Sequence, residues 1–218
     1  MKILEILEKY NCKAVIFDLD GTILDNNPYH LQSWKEYLKQ IGREMTDEEF
    51  NKNLNGRTNR DVVKYLYGDD QSEEQIWHHT NEKEALYRQM YKPHIAAMPG
   101  LTEMLEILHK HDIPMAIATS GIKVNIEFMF ENVPIRKYFK AVIDSSYITH
   151  GKPHPEIFLK TAEVLHADPA KCLVFEDAVV GIQAAQAAGM KVIAVETTET
   201  RANLAIANLI IGDYHELI

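Results

Sequence analysis

Short apolar runs with no polar face recur along this chain, and longer amphipathic stretches separate them. The runs are Ala14–Leu19, Met115–Ala118, Ala141–Ile143, Cys172–Phe175 and Lys191–Val195, with a weaker one at Leu209–Ile211. Strands that are apolar on both faces belong in a parallel sheet covered on two sides. Helical periodicity occupies the intervals, at Leu101–Lys110, Val124–Asn132, Pro155–Leu165, Val179–Ala188 and Arg201–Ala207. This alternation predicts an α/β fold, a doubly wound parallel sheet with a Rossmann-like core.

One region departs from that rhythm. Between about Pro28 and Met98 there is no strand pattern, only helical ones such as "YHLQSWKEYLKQIG" and "SEEQIWHHTNEKEALYRQMY". Leu31, Trp34, Leu38 and Ile41 make an apolar stripe at helical spacing, with Trp34 in its core. Thr46 before Asp47-Glu48-Glu49, and Ser72 before Gln75, have the form of helix N-caps. The expected organisation is a core of residues 1–25 and 98–218 interrupted by an all-helical cap at 26–97. Such an insert follows the first strand, over the carboxyl edge where open α/β sheets bind ligands. It is a candidate lid.

Composition narrows the function. The 218 residues carry a net charge of −9 and no basic stripe, which argues against a nucleic-acid partner. No apolar run reaches membrane-spanning length, and Glu5, Glu8 and Lys9 break up the amphipathic N-terminus, so neither a span nor a signal peptide is expected. Two isolated cysteines, Cys12 and Cys172, read as reduced thiols and place the protein in the cytoplasm.

The polar residues that end the apolar runs carry the chemistry. Asp18 and Asp20 are two apart, so in extended backbone both face one side, and Gly21 permits a tight turn after them. Such a pair either caps loop amides or needs a cation or a shared proton. Three further clusters favour the second reading. Thr119-Ser120-Gly121 ends one strand, Lys152 stands between Gly151 and Pro153, and Glu176-Asp177 ends another strand. The predicted topology puts all four clusters on one sheet edge. Carboxylates with water and a substrate phosphate suit Mg2+, and Lys and Thr can hold phosphoryl oxygens. The inventory describes phosphoryl transfer.

"DLDGT", "TSG", "GKPHPEIF" and "FEDA" together resemble the four signature motifs of the haloacid dehalogenase-like hydrolase superfamily. "DNNPYHLQSW" and "GIQAAQAAG" are similar to its β-phosphoglucomutase-like branch and the small sugar-phosphate phosphatases within it. The resemblance covers essentially the whole chain. It implies Asp18 as the nucleophile that becomes an aspartyl-phosphate, and Asp20 as general acid and then base. Thr119, Ser120 and Gly121 would bind phosphoryl oxygens, and Lys152 would neutralise charge. Asp18, Asp20 (through its carbonyl), Glu176 and Asp177 would form the Mg2+ site. An acid at Asp20 fits an oxygen leaving group and argues against a dehalogenase.

Family mutases resemble Gly-x-Ser-Arg at the cap loop, whereas here the loop is "LNGRTNRD" and the Arg position, counted from Gly56, falls on Asn59. Arg57, Arg60 and Arg88 are the cationic candidates for substrate contact, with Gly56 in the loop and His30 at the hinge. The resemblance therefore implies a phosphatase of a small phosphorylated metabolite, a sugar or polyol phosphate. A hexose-phosphate mutase is the alternative, then an inorganic pyrophosphatase. The branch implies a monomer.

Overall fold

The computed structural model describes residues 2–218. Six parallel strands form its sheet: β1 (Ala14–Phe17), β2 (Met115–Ala118), β3 (Ala141–Ile143), β4 (Cys172–Glu176), β5 (Lys191–Val195) and β6 (Leu209–Ile211). Their order is β3-β2-β1-β4-β5-β6, a doubly wound arrangement that reverses direction at β1. The crevice beyond the carboxyl ends of β1 and β4 is thus the place the topology reserves for a ligand.

Alternate residues feed the two faces of the sheet. Val15, Phe17, Ile117, Leu173 and Phe175 join one apolar layer with helices α1 (Ile3–Lys9), α6 (Leu101–Lys110) and α7 (Lys123–Asn132). Ala14, Ile16, Ala116, Ala118 and Val174 face the other, with α8 (Glu156–Val164) and α9 (Val179–Ala187). The small side chains on the second face leave room for Ile157, Phe158 and Ile182. On the first face Phe17 stacks on Phe175 at 5.0 Å. Truncating Phe17 to alanine there costs about 3–5 kcal/mol.

The region between β1 and α6 is helical: α2 (Asn27–Gln40), α3 (Asp47–Asn53), α4 (Asn59–Tyr67) and α5 (Glu73–Tyr91). The hydroxyls of Thr46 and Ser72 accept hydrogen bonds from the backbone N–H groups of Glu49 and Gln75, as their cap positions require. Trp34, Leu38, Phe50, Val63 and Ile76 form a separate apolar cluster among these helices. The chain leaves and re-enters the sheet side by side, where Leu24 bridges Ala97 and Met98 N–H donates to Ile23 O at 2.9 Å. Among the described residues no helix is long and apolar enough to cross a membrane.

Three expected details change. β1 stops at Phe17 rather than Leu19, because the chain turns through Gly21 at φ +73°. The helix expected at Arg201–Ala207 is a single 3-10 turn, Asn203–Ile206, in which only Leu204 is buried and no apolar face can hold a longer helix. Ile41 is exposed, because α2 ends one residue before it.

Candidate active site

β1 delivers Asp18 to the sheet edge, and β4 delivers Glu176 with Asp177 next to it. One carboxylate oxygen from each lies within 4.8 Å of the others. All three side chains are buried. Lys152, from the loop before α8, places its Nζ 2.6 Å from Asp18 Oδ1 and 2.5 Å from Glu176 Oε1. The other oxygen of Glu176 accepts the N–H groups of Asp177 and Ala178 at 2.9 and 3.0 Å, so this carboxylate folds back over the start of α9. Gly181 makes that possible, since a Cβ there would run into Glu176. Asp177 Oδ2 accepts from Asn27 at 2.9 Å and from the Thr198 hydroxyl. A side chain at Gly21 would occupy the space of Asp177 and Asn27.

Three carboxylates against one ammonium leave this edge short of positive charge. Burial first, then Glu176 and Asp20, outweigh Lys152 and push the Asp18 carboxyl up to about 8. Asp177 rises well above its ordinary value through burial first, then the neighbouring Glu176 and Asp18. The Lys152 ammonium, despite burial, is held above its usual range by Asp18 and Glu176. A divalent cation would supply the missing charge. Among the described residues Asp18 Oδ2 and Asp177 Oδ1 meet no donor, while both oxygens of Glu176 do. The donor set is all oxygen, as Mg2+ prefers.

Asp20 stands apart from that trio in a different setting. Its Oδ1 accepts from Asn26 Nδ2 at 2.6 Å and lies 3.3 Å from His30 Nε2. Lys83 Nζ is 2.7 Å from His30 Nδ1. An ammonium has no lone pair, so Nδ1 accepts, the ring proton sits on Nε2, and Nε2–H points at Asp20. Burial works to raise the Asp20 carboxyl, but His30, Asn26 and Lys83 outweigh it and hold it below the usual range.

The family model for haloacid dehalogenase-like hydrolases matches residues 15–195, from β1 to the end of β5. The chain belongs to this family. A fructose-1-phosphate phosphatase of Escherichia coli is 34% identical over 182 residues, covering 84% of this chain and 95% of that protein. A β-phosphoglucomutase of Bacillus subtilis is 31% identical, covering 84% and 83%. The crystal structure of a family IA, variant 3 hydrolase from Entamoeba histolytica matches with a TM-score of 0.84 at 34% identity, over 94% and 95% of the two chains.

The remaining residues expected at this family site divide. A cavity of about 60 Å³ is lined by Asp18, Asp20, His30, Gly56, Arg57, Ser120, Gly121, Glu176 and Asp177. The Ser120 hydroxyl donates to Gly56 O at 3.0 Å, joining the sheet edge to the loop between α3 and α4. Thr119 is buried, its hydroxyl accepting Gly121 N–H at 2.9 Å. Arg60 lies outside the cavity, pairing with Glu73 on the surface. Arg88 also stays outside the lining and donates to Asn125 Oδ1 at 2.8 Å. The lining adds residues that the sequence reading did not place at the site: Asn27, Asn55, Asn59, Lys83, Glu84 and Asn125. A signal for two of them exists. The buried face of α5 runs Ile76, Thr80, Lys83, Glu84, Tyr87, Tyr91, so a Lys-Glu pair interrupts a stripe at helical spacing.

Proposed function

We propose that this phosphoric monoester hydrolase is a Mg2+-dependent phosphatase of small phosphorylated metabolites, sugar or polyol phosphates, acting through an aspartyl-phosphate on Asp18. The observation that carries the proposal is the convergence of Asp18, Lys152, Glu176 and Asp177 at one sheet edge. Asp18 and Asp177 would hold the Mg2+ directly, with Glu176 acting through water and Asp20 through its carbonyl. The ion would neutralise charge on phosphate and carboxylate as they approach.

Lys152 fixes the rotation of Asp18 and leaves its second oxygen open. An Asp18 oxygen attacks phosphorus, the bond from phosphorus to the leaving oxygen breaks, and Asp20 gives that oxygen its proton. Asp20 is held as a carboxylate in the free protein, so the arriving phosphate supplies the negative charge that makes it take up this proton. Asp20 then takes a proton from water, the water oxygen attacks phosphorus, and the bond to Asp18 breaks. The Thr119 hydroxyl and the Ser120 backbone N–H are offered to the phosphoryl oxygens, while Gly121 N–H is turned onto Thr119 Oγ1; each donor to those oxygens is worth about a hundredfold in rate.

Residues 26–97 act as a cap that opens and closes about the paired crossings at Leu24 and Ala97. We read the protein as a monomer, and as cytoplasmic in keeping with its two free, buried cysteines. Purified protein should release phosphate from a panel of hexose, pentose and polyol phosphates with Mg2+ and lose this in EDTA. No release from any of them would overturn the proposal. Kinship to a β-phosphoglucomutase keeps a mutase as the second reading. Interconversion of hexose phosphates without free phosphate would favour it.

A further inference from the structure

Beside Asp20 the cavity has a wall that phosphoryl chemistry does not require. Asn59 opens α4, Glu84 lies in α5 and Asn125 in α7, and all three line the cavity that holds Asp18 and Asp20. Glu84 is only 2% exposed. Its Oε1 accepts from Asn59 Nδ2 at 2.9 Å and Lys83 Nζ at 3.0 Å, and its Oε2 from Asn125 Nδ2 at 2.7 Å. Asn125 and Asn55 are buried amides of the lining, and Asn59 is half-buried.

Burying an ion pair and several amides adds little stability over apolar packing of the same volume. Their placement around a cavity calls for a ligand that uses them. A carboxylate only accepts hydrogen bonds, while an amide both donates and accepts. Hydroxyl groups match that mixture, since each donates one hydrogen bond and accepts others. A second phosphate set against this wall does not match, because it would meet the Glu84 carboxylate; Arg57, the other cation of the lining, stands apart from it in the loop between α3 and α4. Lys83 cannot serve such a phosphate freely, being engaged by Glu84 and by His30 Nδ1.

We infer that Glu84, Asn59 and Asn125 form a hydroxyl-reading wall that selects monophosphates of uncharged polyhydroxylated compounds and disfavours bisphosphates. This rests on the phosphatase reading and adds the residues that choose its substrate. Sites built to hydrogen-bond a hydroxyl discriminate strongly against analogues that lack it.

The test compares kcat/KM for a hexitol monophosphate, a hexose bisphosphate and phenyl phosphate, which has no hydroxyls. The wild-type enzyme should prefer the hexitol monophosphate over both others. Glu84→Gln and Asn59→Ala should each lower the ratio of hexitol phosphate to phenyl phosphate about tenfold, mainly through KM. Glu84→Gln should also narrow the gap to the bisphosphate. Asn59→Ala leaves the Lys83–Glu84 pair intact, so it remains informative if Glu84→Gln does not fold. Unchanged ratios, with all substrates falling in parallel, would make the wall structural and overturn the inference. If no substrate is hydrolysed, the phosphatase reading falls by itself. The wall is then judged by calorimetric binding of the hexitol monophosphate with and without Asn59→Ala. Binding about tenfold weaker in the variant supports it, and equal binding overturns it.

Discussion

The two sides of the cavity handle buried charge in opposite ways. At the sheet edge, Asp18, Glu176 and Asp177 share one ammonium, Lys152, and the Asp18 carboxyl is pushed up to about 8. On the helical side, Glu84 is surrounded by Lys83, His30, Asn125 and Asn59, which outweigh its burial and hold its carboxyl below the usual range. The edge carries more negative than positive charge, which a divalent cation would balance. The wall is electrically complete and has hydrogen-bonding capacity to offer. One region is suited to driving a reaction and the other to choosing what reacts.

Substitutions at the edge should separate the two regions most sharply. Asp18→Asn removes the attacking oxygen, and phosphate release should fall at least about a thousandfold for every substrate. A substrate-dependent loss would erase the distinction drawn here. Lys152→Met comes next. It should lower kcat about a hundredfold, and chemical denaturation without metal should show about 3 kcal/mol of lost stability, since Asp18 and Glu176 are left without their counter-ion.

Metal and pH sharpen the comparison further. A carboxyl raised in the folded state, such as Asp18, contributes stability at acid pH that is lost as pH climbs toward about 8, because the folded protein holds a proton the unfolded chain has released. Metal-free protein should therefore lose melting temperature over this range. Mg2+ needs the ionised carboxylates, so its stabilising effect in thermal melts should grow from about pH 6 to about pH 8 and shrink in Asp18→Asn. A shift independent of pH would show that the ion binds elsewhere. The smallest effect is expected at Arg60. It pairs outward with Glu73, and Arg60→Ala should leave KM within about twofold.

The carboxylates of the edge and Thr119 were legible in the sequence because each ends or follows a short apolar strand, whereas Lys152 stands in the long loop after β3. Strand, turn and functional side chain are contiguous there, so spacing alone places Asp18, Thr119 and Glu176 on one line. The wall was not legible in that way. Asn59, Glu84 and Asn125 come from three helices, and only tertiary packing brings them together. Lys83-Glu84 looks like an ordinary solvated helix pair until the stripe from Ile76 to Tyr91 is seen to be its own face. Arg88, expected at the ligand, stays outside the cavity lining and donates to Asn125. Arg201–Ala207 had helical periodicity but too little apolar surface to use it.

Whether Asp18 accepts the phosphoryl group can be seen directly. The enzyme is mixed with Mg2+ and a turned-over sugar phosphate, quenched in acid within a single turnover, and its peptides are mapped by mass spectrometry. A phosphoryl group on Asp18 that appears before free phosphate and decays as phosphate accumulates is the predicted result. Phosphate released while Asp18 stays unmodified at every time point would contradict it.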